Sequence, residues 1–577
     1  MDRFFDLVIR RGTIVDGGGG EPYQADLGIR DGRIAAIGAD LAGGSEEIDA
    51  EGLLVTPGFV DLHTHYDGQV TWENRLVPSC AHGVTTAIIG NCGVGFAPCR
   101  RDAQDLLIRL MEGVEDIPHP VLVEGLRWAW ESFPDYLDFL SGREFDMDVG
   151  AYLPHAPLRV YVMGDRAVRL EAATDDDLAE MAALAREGLD AGAMGIATSR
   201  TLFHRSSDGN PIPTLRASEE ELVMLARAMR ETGKGIFQLT GDAFGTADGV
   251  DLLRQLNVES GRAITFSTGT SNTAPYYWPA LLDRVRDANQ DGASLHPQIL
   301  PRAIGVLLGF ELTLNPFAAT PTYGALTDLP LEERLTVLRR PEIKERILSE
   351  GAAIPPGSSI DSHIRQFQAM FQLGDPPRYE QPPEASIAGR AGRLGTTPDA
   401  LAYDLLLEKE GRAQLYLAMA NYPDGNLDAV SAMMRHPDTL PGLGDGGAHC
   451  ATICDGSYST FLLTYHARDR EGDRLSVPEA VRKLTAAPAA VIGLHDRGRI
   501  ARGYKADINI IDFDRLAIHA PTVAHDLPGG GRRLVQRATG YRATIVNGVP
   551  VYLDGEPTGA LPGRIVRGGR PTPAAIH

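Results

Sequence analysis

Nowhere in the 577 residues does an apolar run approach the roughly 18 uninterrupted positions needed to cross a bilayer. The opening MDRFFDLVIRRGTIVDGG has no basic segment leading into an apolar stretch. Neither a membrane anchor nor export is expected, and the cytoplasm is the expected compartment. Cysteine is scarce: Cys80, Cys92, Cys99, Cys450 and Cys454 are too few and odd in number for a disulfide framework, so a functional cysteine here would act as thiol or ligand. Basic charge is also in deficit, 55 Lys and Arg against 77 Asp and Glu, for a formal net charge of −22. That balance repels phosphate backbones and anionic lipid, which argues against nucleic acid or a membrane as partner. Repeats and low-complexity tracts are missing. What remains, 43% hydrophobic and 23% charged residues, is the composition of a globular chain long enough for one large core and a smaller domain.

Both ends of the chain alternate apolar and polar residues between glycine turns, as in FDLVIRRGTIVDG and ADLGIRDGRIAAIG early and ADINIIDFD and ATIVNGVPVYLDG late. These predict short strands, and their separation predicts a small β-sandwich domain, residues 1–57 plus 495–577, assembled from both termini. Between them, helical stretches such as DDDLAEMAALAREGLDAGA and SEEELVMLARAMRETG alternate with short apolar runs such as GVTTAIIG, MGIATS, GIFQLTG and AITFSTG. Repeated βα units of this length predict an α/β fold with a (β/α)8 barrel over 58–494. The proline-rich stretch around 311–384 reads as long loops or an inserted lid.

Chemistry concentrates at the ends of the apolar runs. Gly58 to His65 reads GFVDLHTH; on a strand, positions i and i+2 face one side, so His63 and His65 can hold one cation. Two unrelated histidines at a strand end are the alternative. Cys92, in GNCG after GVTTAIIG, lies where barrel strands present functional residues, although a lone cysteine is commonly buried and inert. Asp445, in GLGDGGAH, follows another short run, where an Asp-Gly turn is the plain explanation. His449 stands on the loop beyond it, a candidate substrate contact, and Arg302 in LPRAIG is placed to grip a carboxylate bidentately or to form a salt bridge.

PGFVDLHTH after a β-rich N-terminal segment resembles the first-strand signature of amidohydrolases, and Thr485 to Ala489 (TAAPA) with Gly493-Leu494, Gly498-Arg499-Ile500, Gly503 and Ala506-Asp507 is similar to the tail of that family. GNCG resembles the motif of the D-aminoacylase group. The resemblance covers nearly the whole chain. It implies zinc, one ion favoured over two, ligated by His63, His65, Cys92 and Asp445, with Cys92 replacing a carboxylated lysine. The five lysines, Lys234, Lys344, Lys409, Lys483 and Lys505, agree, because only Lys234 lies near an expected strand. It also implies that Asp445 accepts a proton from the attacking water and returns it to the leaving nitrogen. Two further strand histidines expected from the resemblance are missing: Gln238 occupies one place, where it becomes a candidate substrate contact, the other falls near Ser267, and no histidine stands between His204 and His296. The implied activity is hydrolysis of an amide bond in a small molecule, an N-acyl-D-amino acid or a related amide or lactam, by a homo-oligomer. A non-catalytic barrel kept for assembly or binding is the alternative, and a deaminase of the same superfamily a third.

Overall fold

The computed structural model describes residues 5–273, 277–354 and 364–574. The alternating ends form one nine-stranded sheet in which the N-terminal strands Phe5–Ile14, Tyr23–Arg30, Arg33–Gly38, Gly44–Asp49 and Leu54–Pro57 join C-terminal strands. The junction is Ile508–Ile511, antiparallel to Leu54–Pro57 with Ile510 opposite Val55. Ile9, Leu27, Val55, Ile508 and Ile545 pack its apolar interior. The C-terminal segment is not confined to this sheet. Ile565–Val566 pairs in parallel with Asp148–Ala151, and the hairpin Thr522–Leu527/Gly531–Val535 ties Leu534 N to Cys450 O.

The middle of the chain is mixed α/β with two all-parallel sheets. One runs Leu440–Pro441, Leu295–Ile299, Ile264–Ser267, Ile236–Gly241, Gly195–Arg200, Leu153–Pro154. The other runs Ile565–Val566, Asp148–Ala151, Val84–Ile89, Phe59–Asp61. Only Tyr152 separates Asp148–Ala151 from Leu153–Pro154, and a parallel bridge joins Thr64 to Gly446. The buried faces explain the apolar runs: all six residues of Val84–Ile89 are buried, as a parallel strand covered on both sides requires. The intervening helices begin and end where local chemistry dictates. Thr174 and Asp177 form a reciprocal capping box at the start of Asp175–Ala191, and Gly192, left-handed at φ 113°, ends it. Ser218 caps Glu219–Thr232, which Gly233 closes.

The proline-rich stretch is ordered where it is described, which corrects the expectation of irregular loops; residues 355–363 lie outside the described part. Helices Leu331–Leu338, Pro341–Ala352, Ile387–Leu394 and Pro398–Leu406 surround a three-stranded antiparallel sheet of Ile304–Leu308, Met370–Phe371 and Leu415–Ala420. Phe310, Phe317, Tyr323, Leu338, Tyr403 and Leu417 give it an apolar core of its own. Pro321, Pro341 and Pro398 stand at first-turn positions of helices, where the missing N–H has no intrahelical partner to lose.

Candidate active site

The C-terminal ends of the parallel strands converge on His63 and His65. Both side chains are buried, with ring centroids 5.4 Å apart. Cys92 reaches them because the turn after Val84–Ile89 is sharply left-handed: Gly90 has φ 82°, and a Cβ there would lie 2.5 Å from Tyr152 O. Cys92 is itself left-handed at φ 55°, a conformation costly for a residue with a Cβ and found preferentially at functional sites. Asn91 ties the turn to the histidine segment by donating to Thr64 O at 3.2 Å and Ile88 O at 2.8 Å. Asp445 and His449 are left-handed as well, at φ 44° and 48°.

The His63 Nε2 lies 3.5 Å from Cys92 Sγ and 3.4 Å from Asp445 Oδ1, and His65 Nε2 lies 3.7 Å from the same oxygen. Ligand atoms of His63, His65 and Cys92 all fall within 4.8 Å of one another. Donors arranged tetrahedrally around zinc at ordinary bond lengths stand about 3.3–3.6 Å apart, so these separations suit a cation. The charges agree. Asp61, Asp67 and Glu115 are buried here and Asp445 keeps 24% of its side chain exposed, and none has a lysine or arginine ion partner among the described residues. Asp61 Oδ2, Asp67 Oδ2, Glu115 Oε1 and Asp445 Oδ1 lack hydrogen-bond partners. Burial pushes Asp445 up to about 6 and Asp61 up to about 7, the latter opposed by its bond from His63 N. Burial lowers His63 to about 4, so the ring is neutral at neutral pH; with Nδ1–H donated to Gln298 Oε1, the lone pair on Nε2 is free to meet a metal. The donor set of two imidazoles, a thiol and a carboxylate fits a divalent metal of the zinc type.

Two expected substrate contacts are corrected. Gln238 is spent inside the protein: its Oε1 accepts from Cys92 N at 3.1 Å and its Nε2 donates to Thr240 Oγ1 at 3.0 Å. Thr240 continues the network to Ser267 Oγ at 3.0 Å and to Cys92 Sγ at 3.5 Å. Arg302 is fully buried in an internal network. Its Nε donates to Asp455 at 3.0 Å and its other nitrogens bond Asp455, Ser457 Oγ and Cys454 O, while the guanidinium stacks 4.2 Å above the Tyr379 ring. His449 keeps 32% of its side chain exposed and faces Glu115, which leaves it accessible from the site.

Three residues escaped the sequence reasoning. Gln298 Oε1 meets His63 Nδ1 at 2.8 Å. Glu115 faces His65 Nδ1 at 3.2 Å. His204 is held by Ser199 Oγ at 2.8 Å, and burial, with His449 and His63 nearby, lowers its pKa to about 3. Only its place after the Gly195–Arg200 strand signalled it.

The amidohydrolase family model matches residues 46–552. A D-aminoacylase of Alcaligenes xylosoxydans xylosoxydans is 28% identical over 97% of both chains. An N-acyl-D-aspartate deacylase of the same organism is 28% identical over 98% of this chain and 96% of its own. In fold, the chain is similar to an N-acyl-D-glutamate deacylase of Bordetella bronchiseptica bound to zinc and a phosphonate inhibitor, with TM-score 0.64 and 23% identity over 98% of this chain and 99% of the other. With most of its length matched in this way, the protein belongs to the amidohydrolase family.

Proposed function

We propose that the protein is a metal-dependent hydrolase that cleaves the amide bond of an N-acyl-D-amino acid or a related small amide. The observation that carries this is the approach of His63 Nε2 to both Cys92 Sγ and Asp445 Oδ1, at 3.5 and 3.4 Å, at the C-terminal ends of parallel strands. The substrate class rests on the names of three near-full-length relatives, a D-aminoacylase and deacylases of N-acyl-D-aspartate and N-acyl-D-glutamate. The two parallel sheets are read as one (β/α)8 barrel over 58–494, continuous through 148–154 and joined at Thr64 and Gly446, with the terminal sheet as the small domain. His63, His65 and Cys92 would hold the cation, with Asp445 beside it. A divalent cation so held makes water acidic enough to ionise near neutrality and polarises a carbonyl. Asp445, kept above the ordinary carboxylate range by burial, takes the proton of the attacking water and delivers it to the leaving nitrogen. His449, part-exposed at the mouth, contacts substrate. A single ion is favoured, because the neighbours of Cys92 on strands Ile236–Gly241 and Ile264–Ser267 are Gln238, Thr240 and Ser267, hydroxyls and an amide already bonded to one another.

Elemental analysis of the parent beside His63→Ala and Cys92→Ala, with turnover of N-acyl-D- and N-acyl-L-amino acids and lactams, tests this. About one zinc per chain, lost in both variants together with amide hydrolysis, supports the reading. A parent that takes up no transition metal overturns it in favour of a non-catalytic binding protein.

A further inference from the structure

We propose that Glu115 is the positioning residue for His65, fixing which imidazole nitrogen faces the metal centre and tying that ring to the loop that carries Asp445 and His449. The inference rests on the metal-centre reading above and adds a residue to it. Glu115 is the last residue of the helix Gln104–Glu115, ended by Asp116 in the left-handed conformation at φ 50°. It is 2% exposed, yet it is the terminal residue of an otherwise amphipathic helix whose other acids lie outside. Its carboxylate spans two histidines: Oε1 stands 3.2 Å from His65 Nδ1 and Oε2 stands 3.7 Å from His449 Nε2. The first contact is within hydrogen-bond distance but off the line of a straight hydrogen bond, and neither atom has another partner. The backbone locks the same pair of segments together. His449 N donates to Glu115 O, and Thr452 Oγ1 donates to Asp116 Oδ2 at 3.1 Å.

The consequence is chemical. A carboxylate that accepts Nδ1–H forces His65 into the tautomer whose lone pair is on Nε2, the atom 3.7 Å from Asp445 Oδ1. It also makes that lone pair more basic. Gln298 Oε1 does the equivalent work for His63, but as a neutral acceptor. The two histidines are thus held by different partners, an amide oxygen at His63 and a carboxyl group at His65.

The test uses the full-length chain with Glu115→Gln and Glu115→Ala, read by chelator competition for zinc and by the thiolate-to-metal charge-transfer absorption of the cobalt(II)-loaded protein. Glu115→Gln keeps an acceptor and loses the charge; Glu115→Ala loses both. Zinc affinity should fall in the order parent, Gln, Ala, with about a 10–100-fold loss at the end of the series, and the cobalt spectrum should change with it. The helical circular dichroism of Glu115→Gln should match the parent, which separates positioning from folding if the alanine variant is unstable. Parent and Glu115→Gln binding zinc equally, with identical cobalt spectra, overturns the inference while leaving the metal centre standing. A parent that binds neither metal overturns the metal centre and this inference with it.

Discussion

Arg302→Met separates two roles that the sequence left open, a grip on a substrate carboxylate and an internal ion pair. In the structure the guanidinium and Asp455 are 1% and 5% exposed, and all three guanidinium nitrogens donate to Asp455, Ser457 or Cys454 O. Methionine fills the volume but strands the Asp455 carboxylate in a buried place already rich in acid, including Asp445. Breaking a buried pair by removing one partner costs about 3–5 kcal/mol. A melting entropy of about 2.1 cal/mol/K per residue over the whole chain converts that to a fall in Tm of about 2.5–4 °C if it melts as one unit. Arg302→Met/Asp455→Leu, which removes both charges, should recover most of the loss, since replacing a whole buried pair by apolar residues is close to neutral. Scanning calorimetry of the three proteins reads this directly, beside steady-state kinetics on an N-acyl amino acid and on its neutral amide. The reasoning is refuted if Arg302→Met melts with the parent and raises KM by about tenfold for the carboxylate substrate alone. That result would mean the guanidinium leaves Asp455 to meet substrate.

Gln238→Leu leaves the buried N–H of Cys92 without its acceptor, a loss of about 1–3 kcal/mol, and should lower both Tm and zinc content; a variant that keeps full zinc content shows that the turn holds Cys92 unaided. Chelation of the metal should lower Tm reversibly, because a ligand at 100 times its Kd stabilises by about 2.7 kcal/mol, and readdition of zinc should restore it; a melting curve indifferent to chelator argues against a bound cation. Phe310→Ala should cost about 3–5 kcal/mol within the inserted unit, where Phe310 packs on Phe317, Tyr323 and Tyr403. Hydrogen exchange should then quicken across 304–420 while zinc content stays unchanged, and quickening confined to Phe310 itself would show that the unit is not cooperative.

His63 and His65 were legible because strand periodicity alone puts them on one side, and Cys92 and Asp445 because each follows a short apolar run at the end where parallel strands present their functional groups. The interleaving of the two chain ends in one sheet followed from matched alternation at residues such as Ile9, Val55 and Ile510. Residues without a local pattern did not show. Glu115 ends a helix between two strands, and its sequence neighbours say nothing of His65, so only the tertiary path of Gln104–Glu115 reveals it. Gln298 is one polar residue in a strand, and its acceptor oxygen acquires meaning only opposite His63 Nδ1. The loop alternative for 311–384 failed for a definite reason: at Pro321 and Pro341 proline opens a helix.

The site gathers its reactive atoms from positions where the backbone itself is unfavourable. Cys92, Leu443, Asp445 and His449 are all non-glycine residues at φ between 44° and 58°. Each such residue costs of order 1 kcal/mol or more, and several carboxylates lie among them with no lysine or arginine partner among the described residues. Strain and uncompensated negative charge would both select against this arrangement in a purely structural loop. They are offset together if a cation binds between the segments, because one ligation event neutralises the charge and holds the turns in place. By that logic the loops after Val84–Ile89 and Leu440–Pro441 should be the first parts of the molecule to loosen when metal is withdrawn, ahead of the strands that carry them.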